Sequence, residues 1–152
     1  MKTLALALLL VLTPAMAIAD SLDKYMELLR SDFRTTKTEL LTEALQLSEP
    51  DGQKFWPIQR EYETQLAKLG DQRLQLIKDY AANYDSLTAP MAKQLTDRAF
   101  KLESSRLSLL KKYVDKVSKA TTPSVAARFA QIEATVNALI DLQVRANLPL
   151  VK

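Results

Sequence analysis

Serines 104, 105 and 108, set within two helical turns of Lys101 and Lys112, come closest in this chain to a nucleophile and its base. Ser-Lys chemistry needs a lysine stripped of water so that its ammonium gives up its proton, and donors aimed at an oxyanion. A regular helix supplies neither, because its amides already bond one another, so these serines are read as surface residues. Glu39 and Glu43, or Glu61 and Glu63, offer paired carboxylates to a hard cation, but without an oxygen-rich loop they read as solvated helix faces. Histidine and cysteine are absent. That excludes Ser-His and Cys-His nucleophile pairs, Cys/His zinc sites, His-ligated haem, the Glu-x-x-His di-iron pattern and disulfides. The expectation is a protein that is not an enzyme and needs no metal or cofactor.

The elements around these residues are helical. The chain has 152 residues, 47% hydrophobic and 26% charged, with two glycines, a composition suited to one domain and poor in turn residues. Its first 19 residues read as a signal peptide. Lys2 precedes an apolar run from Leu4 to Leu12, Thr13-Pro14 breaks it, and Ala15, Ala17 and Ala19 form two overlapping A-x-A sites. Cleavage after Ala19 leaves residues 20–152 as a single helical domain beginning at Asp20; cleavage after Ala17 is the second choice. The run is well short of the roughly 20 residues that span a bilayer. The expected location is therefore secreted, in the bacterial periplasm, with no stable membrane span after cleavage.

Three marks, each joining a capping side chain to a proline, divide the rest into four helices: Ser48-Glu49-Pro50-Asp51, Thr88-Ala89-Pro90 and Thr122-Pro123. The helices are placed at 21–47, 49–86, 89–119 and 123–146. Their apolar stripes are Leu22, Tyr25, Met26, Leu29, Phe33, Leu40, Ala44 and Leu47; then Ile58 to Leu87 through Tyr62 and Leu66; then Met91 to Val117 through Leu102; and Val125 to Val144 through Phe129. A second helix of this length favours an all-α, elongated helical-hairpin arrangement, homodimeric, over a compact bundle. Pro57 is expected to kink that helix, and Gly70 marks either a close crossing or a tolerated solvent-facing glycine. Phe55 and Trp56 are read as core or staple residues.

The third helix carries the functional reading. Residues 93–119 hold eight basic and three acidic groups, whereas residues 20–92 hold nine and thirteen. At about 100° per residue, Arg98, Lys101, Lys112, Lys116 and Lys119 fall in one arc flanking the core stripe. On nearly the opposite side Phe100, Leu107 and Val114 repeat every seven residues, a second apolar seam that a helix buried on one side does not need. Such a surface suits a sister subunit or an unfolded, net-acidic client. The net charge is too small, and secretion too clear, for nucleic-acid binding.

Residues 45–58, Leu45-Gln46-Leu47-Ser48-Glu49-Pro50-Asp51-Gly52-Gln53-Lys54-Phe55-Trp56-Pro57-Ile58, followed by Tyr62, resemble the LTxxQ region of Spy/CpxP-related periplasmic proteins. Leu87-Thr88-Ala89-Pro90-Met91 is a weaker echo, and the tail from Phe129 to Val151 is similar to secreted relatives. Two departures stand out: Gln53 lies two places beyond the usual glutamine, and Met91 stands where the second copy would carry one. The resemblance implies a Spy-like elongated helical envelope protein, often dimeric, with ATP-independent chaperone or stress-regulating activity. The missing histidines argue against the metal sensing of some relatives. The function expected is capture of apolar segments of client proteins; the alternative is a dedicated structural or regulatory partner of one envelope protein, such as a sensor kinase.

Overall fold

The computed structural model describes residues 35, 37–146 and 148–150. The signal-peptide run, the cleavage sites and Leu22 to Phe33 of the first stripe lie outside the described residues. Those described form four helices and no strand: α1 (37–45), α2 (Glu49–Asn83), α3 (Ala89–Ala120) and α4 (Pro123–Ala146), with a 3-10 turn at Tyr84–Ser86 between α2 and α3. The fold is all-α. No described helix is long and apolar enough to cross a membrane.

The helix starts follow from the capping chemistry. Ser48 Oγ accepts from the Asp51 amide at 3.3 Å and donates to the Asp51 carboxylate at 2.9 Å, opening α2. Thr88 Oγ1 accepts from the Met91 amide, and Thr122 Oγ1 from the Val125 amide at 3.2 Å. In each case proline sits in the first turn, where the missing N–H costs no hydrogen bond. The expected end of the first helix at 47 is corrected to 45. Gln46 takes a left-handed φ of 44°, which stops the helix and lets the chain turn back into α2. Helix α2 continues through Pro57, which is exposed.

Cross-helix ion pairs define the topology. Asp79 binds Arg98 and Glu61 binds Lys116, so α2 and α3 run antiparallel. Asp141 binds Arg106, and Arg145 lies 3.8 Å from Glu103, so α3 and α4 do the same. Helix α1 lies at one end between α2 and α4. There Leu41, Leu45, Phe55, Tyr62, Tyr113, Val117, Ala126 and Phe129 form the main core. The Phe129 ring meets Phe55 and Tyr62 edge to face at 5.7 and 5.6 Å. A smaller cluster, Ile77 and Val144 with Leu74, Ile140 and Leu148, closes the far end.

The first stripe is also corrected. Leu40 and Ala44 are exposed, and the core-facing series is Lys37, Leu41 and Leu45, one residue on. Its spacing of four passes through a lysine, which apolar counting skips.

Candidate functional site

Among the described residues, two regions hold chemistry: a buried charge cluster with the cavity beside it, and the outer face of α3.

In the first, Lys37 reaches inward from α1. Its Nζ stands 2.6 Å from Glu63 Oε1 and 3.0 Å from Glu133 Oε1, and donates to Glu133 Oε2 at 3.1 Å. Gln59 donates to Glu63 from one turn earlier. One buried ammonium therefore serves two carboxylates, of which Glu133 has no solvent exposure. Burial pushes the Glu133 carboxyl above its usual range, the nearby Glu63 charge adds to this, and Lys37 offsets only part of it. Burial likewise raises the Tyr62 hydroxyl beside Glu133.

This shift has a pH consequence. The folded chain holds the Glu133 proton more tightly than the unfolded chain does. The contribution is thus complete below the unfolded-chain value, about 4.3 for glutamate, and is lost as pH rises through the higher folded value. Glu133→Gln should flatten that decline. Urea unfolding of both proteins across mildly acidic to neutral pH checks it, and parallel curves would locate the pH dependence elsewhere.

Beyond Lys37 lies a cavity of about 150 Å³ between α2, α3 and α4, walled by Leu66, Leu69, Gly70, Leu102, Val136 and Ile140. Arg73 and Arg106 also line it, both bound to Asp141, at 2.6 and 2.7 Å. Burial alone would raise the Asp141 carboxyl, but the two guanidinium groups outweigh it and hold it below the usual range. The cavity adjoins a second, of about 450 Å³, that shares Arg73, Leu102 and Glu103 and extends to Ile77, Val144 and Phe100. Among the described residues no three His, Cys, Asp or Glu side chains are placed to hold a metal ion.

On α3, Phe100 and Leu107 are 70% and 69% exposed, the most exposed large apolar side chains on that helix. Val114 is corrected: it is half-buried and packs on the main core. A seven-residue repeat drifts about 20° per heptad around a straight helix, enough to carry the third position toward α4. Two residues of the cationic arc form ion pairs within the chain. Arg98 is bound to Asp79, and Lys116 is bound to Glu61 with its Nζ 4.7 Å from the centre of the Tyr113 ring. Lys116 in turn lowers the Glu61 carboxyl, and Arg98 that of Asp79. Lys101, Lys112 and Lys119 are exposed, and Lys112 lies over the Tyr113 ring at 5.5 Å.

The motif residues serve the fold. Ser48 caps α2, Phe55 and Tyr62 are core, Leu47 and Trp56 pack against it, and Gln53 and Pro57 face solvent. Ser104 and Ser108 are exposed, Ser105 is half-buried, and Lys101 and Lys112 are exposed. Glu39 and Glu43 are exposed, while Glu61 and Glu63 are each bound to a lysine on a different neighbouring helix. Sequence reading missed Lys37, Gln59 and Glu133. The available signal was position: Glu133 falls four residues after Phe129 and three before Val136, within the α4 stripe.

Comparison with protein-family models, with curated proteins and with solved structures returns no match to this chain.

Proposed function

We propose that this chain is a secreted, periplasmic helical binding protein with ATP-independent, chaperone-like or stress-modulating activity, distantly related to the Spy/CpxP group and working as a homodimer. The observation that carries this reading is the pair Phe100 and Leu107. Two large apolar side chains one heptad apart stand in water on a helix whose opposite side already fills the core. Apolar contact supplies the binding, and Lys101, Lys112 and Lys119 steer net-acidic segments toward the helix at long range.

Leu107→Lys tests it. At so exposed a position stability should change by no more than about 0.5 kcal/mol. Client capture or self-association should fall. Suppression of aggregation is measured for several unrelated proteins, alongside chemical unfolding and sedimentation. Unchanged capture and association would remove α3 as the functional face. Reversing the charge of Lys101 and Lys112 should slow capture of acidic clients at low salt, with the difference shrinking as salt screens the field. The small size of the seam favours a second reading, a dedicated regulator of one envelope protein. That reading predicts a single tight partner and no protection of unrelated clients.

A further inference from the structure

Leu148, Pro149 and Leu150 follow α4 and run over the C-terminal end of α2, where two tyrosine hydroxyls hold them. The Leu148 amide donates to the Arg145 carbonyl at 3.2 Å, a turn that leads the chain out of α4. Pro149, with its fixed φ and no N–H, bars further helix. Its carbonyl accepts from the Tyr80 hydroxyl at 2.8 Å, and the Leu150 carbonyl accepts from the Tyr84 hydroxyl at 3.1 Å. The two rings, four residues apart, meet edge to face at 5.6 Å, which keeps both hydroxyls in place. Leu148 is half-buried and packs against the Ile77 and Val144 cluster beside Leu74 and Ile140. Leu150, by contrast, is 88% exposed.

Within residues 148–150 the hold is therefore one apolar anchor and two main-chain carbonyls. Every residue carries a carbonyl, so hydroxyls that bind carbonyls set direction and register without reading sequence. The hold is also light. Both hydrogen bonds are exposed to solvent, where the net gain from each is modest, and Pro149 and Leu150 are themselves exposed. We infer that the end of α2, with Tyr80, Tyr84 and the Ile77–Val144 seat, is a docking site for an extended peptide segment, occupied in cis by the chain's own tail. The tail is the template for that ligand. It asks for a large apolar residue, then two residues whose carbonyls meet Tyr80 and Tyr84 and whose side chains are unconstrained. Proline suits the second place because only its carbonyl is used. A tethered tail competes at an effective concentration of about millimolar, so self-occupancy covers the apolar seat until a segment in trans outcompetes it. The inference rests on the proposed capture of apolar segments for its biological use, but it involves neither Leu107 nor the α3 lysines, so the two sites are tested separately.

The probe is a fluorescently labelled, amidated peptide of sequence Ala-Asn-Leu-Pro-Leu, that of residues 146–150. In the full chain, Leu148→Ser unseats the tail and should raise affinity for the peptide about ten-fold, read by fluorescence anisotropy. Adding Tyr80→Phe and Tyr84→Phe keeps the rings, removes both donors and should reverse the gain. Within the peptide, serine in place of the first leucine should abolish binding, and serine in place of the last should leave it unchanged. Equal affinity of the Leu148→Ser and unmodified chains, or binding that survives loss of both hydroxyls, would overturn the proposal. Because Leu148→Ser takes a leucine from the smaller core cluster, the unmodified chain supplies a second measurement. Peptide at several times the effective concentration of the tail should displace it and move the Leu148 methyl resonances to unpacked, random-coil positions. Resonances that stay in place would overturn the proposal equally. So would sedimentation showing a dimer for the unmodified chain and a monomer for Tyr80→Phe with Tyr84→Phe, because the occupant would then be the tail of a second copy.

Discussion

Lys37→Met should destabilise the protein by about 3–5 kcal/mol, the range measured when one partner of a buried ion pair is removed. The expectation rests on the 2:1 arrangement. Glu63 and Glu133 face the same ammonium, so its loss leaves two carboxylates close together, one of them wholly buried. The methionine can fill the apolar volume of the lysine stem, so packing is nearly preserved and the loss reports charge. A companion measurement isolates the cause. Adding Glu133→Gln to Lys37→Met removes the buried negative charge and should restore a substantial part of the stability, a coupling read from a double-mutant cycle of urea unfolding curves. If the double variant is as unstable as the single one, Lys37 acts by packing and not by charge.

Phe129→Ala should be comparably severe, roughly 3–5 kcal/mol. The Phe129 ring is fully buried and is the meeting point of α2 and α4, edge to face with Phe55 and Tyr62. The α2 and α4 backbones do not come within 8 Å of each other, so side chains must span the interval. Loss of most of the stability, together with a weaker near-ultraviolet circular dichroism signal from the buried Tyr62 and Tyr113, is expected. A loss below about 1 kcal/mol would mean that the α2–α4 interval is held elsewhere.

Helix ends were the most legible feature, because they depend on local chemistry. The capping side chains of Ser48, Thr88 and Thr122 set the starts of α2, α3 and α4 at 49, 89 and 123, as their proline-containing marks predict. Side-chain orientation was legible where the stripe was wholly apolar, as at Phe129, Val136 and Val144. It was not legible where a charge lies within the stripe. Lys37 and Glu133 are buried only because they meet, and their meeting depends on helices far apart in the chain. Counting apolar residues therefore moved the first stripe to Leu40 and Ala44. The pairing of two basic residues in the α3 arc was not legible for a similar reason. Arg98 and Lys116 look free until the α2–α3 hairpin brings Asp79 and Glu61 to them. Phe100 and Leu107 were read correctly as outward-facing because seven-residue spacing opposite a core stripe is a property of a single helix.

The Lys37–Glu133 link also bears on the order of assembly. Its two residues are 96 apart in sequence, whereas α2 meets α3, and α3 meets α4, through tight connections between neighbouring elements. Closing a long loop costs more chain entropy than closing a short one, so the two hairpins can form early and fast. The ammonium of Lys37 has no second carboxylate to neutralise until α4 is in place. A chain interrupted before α4 would hold an unmatched partner for α1 and gain little by burying it. The Lys37–Glu133 contact is thus expected to form late, so Lys37→Met should accelerate unfolding more than it slows folding, which stopped-flow measurement of both rates checks.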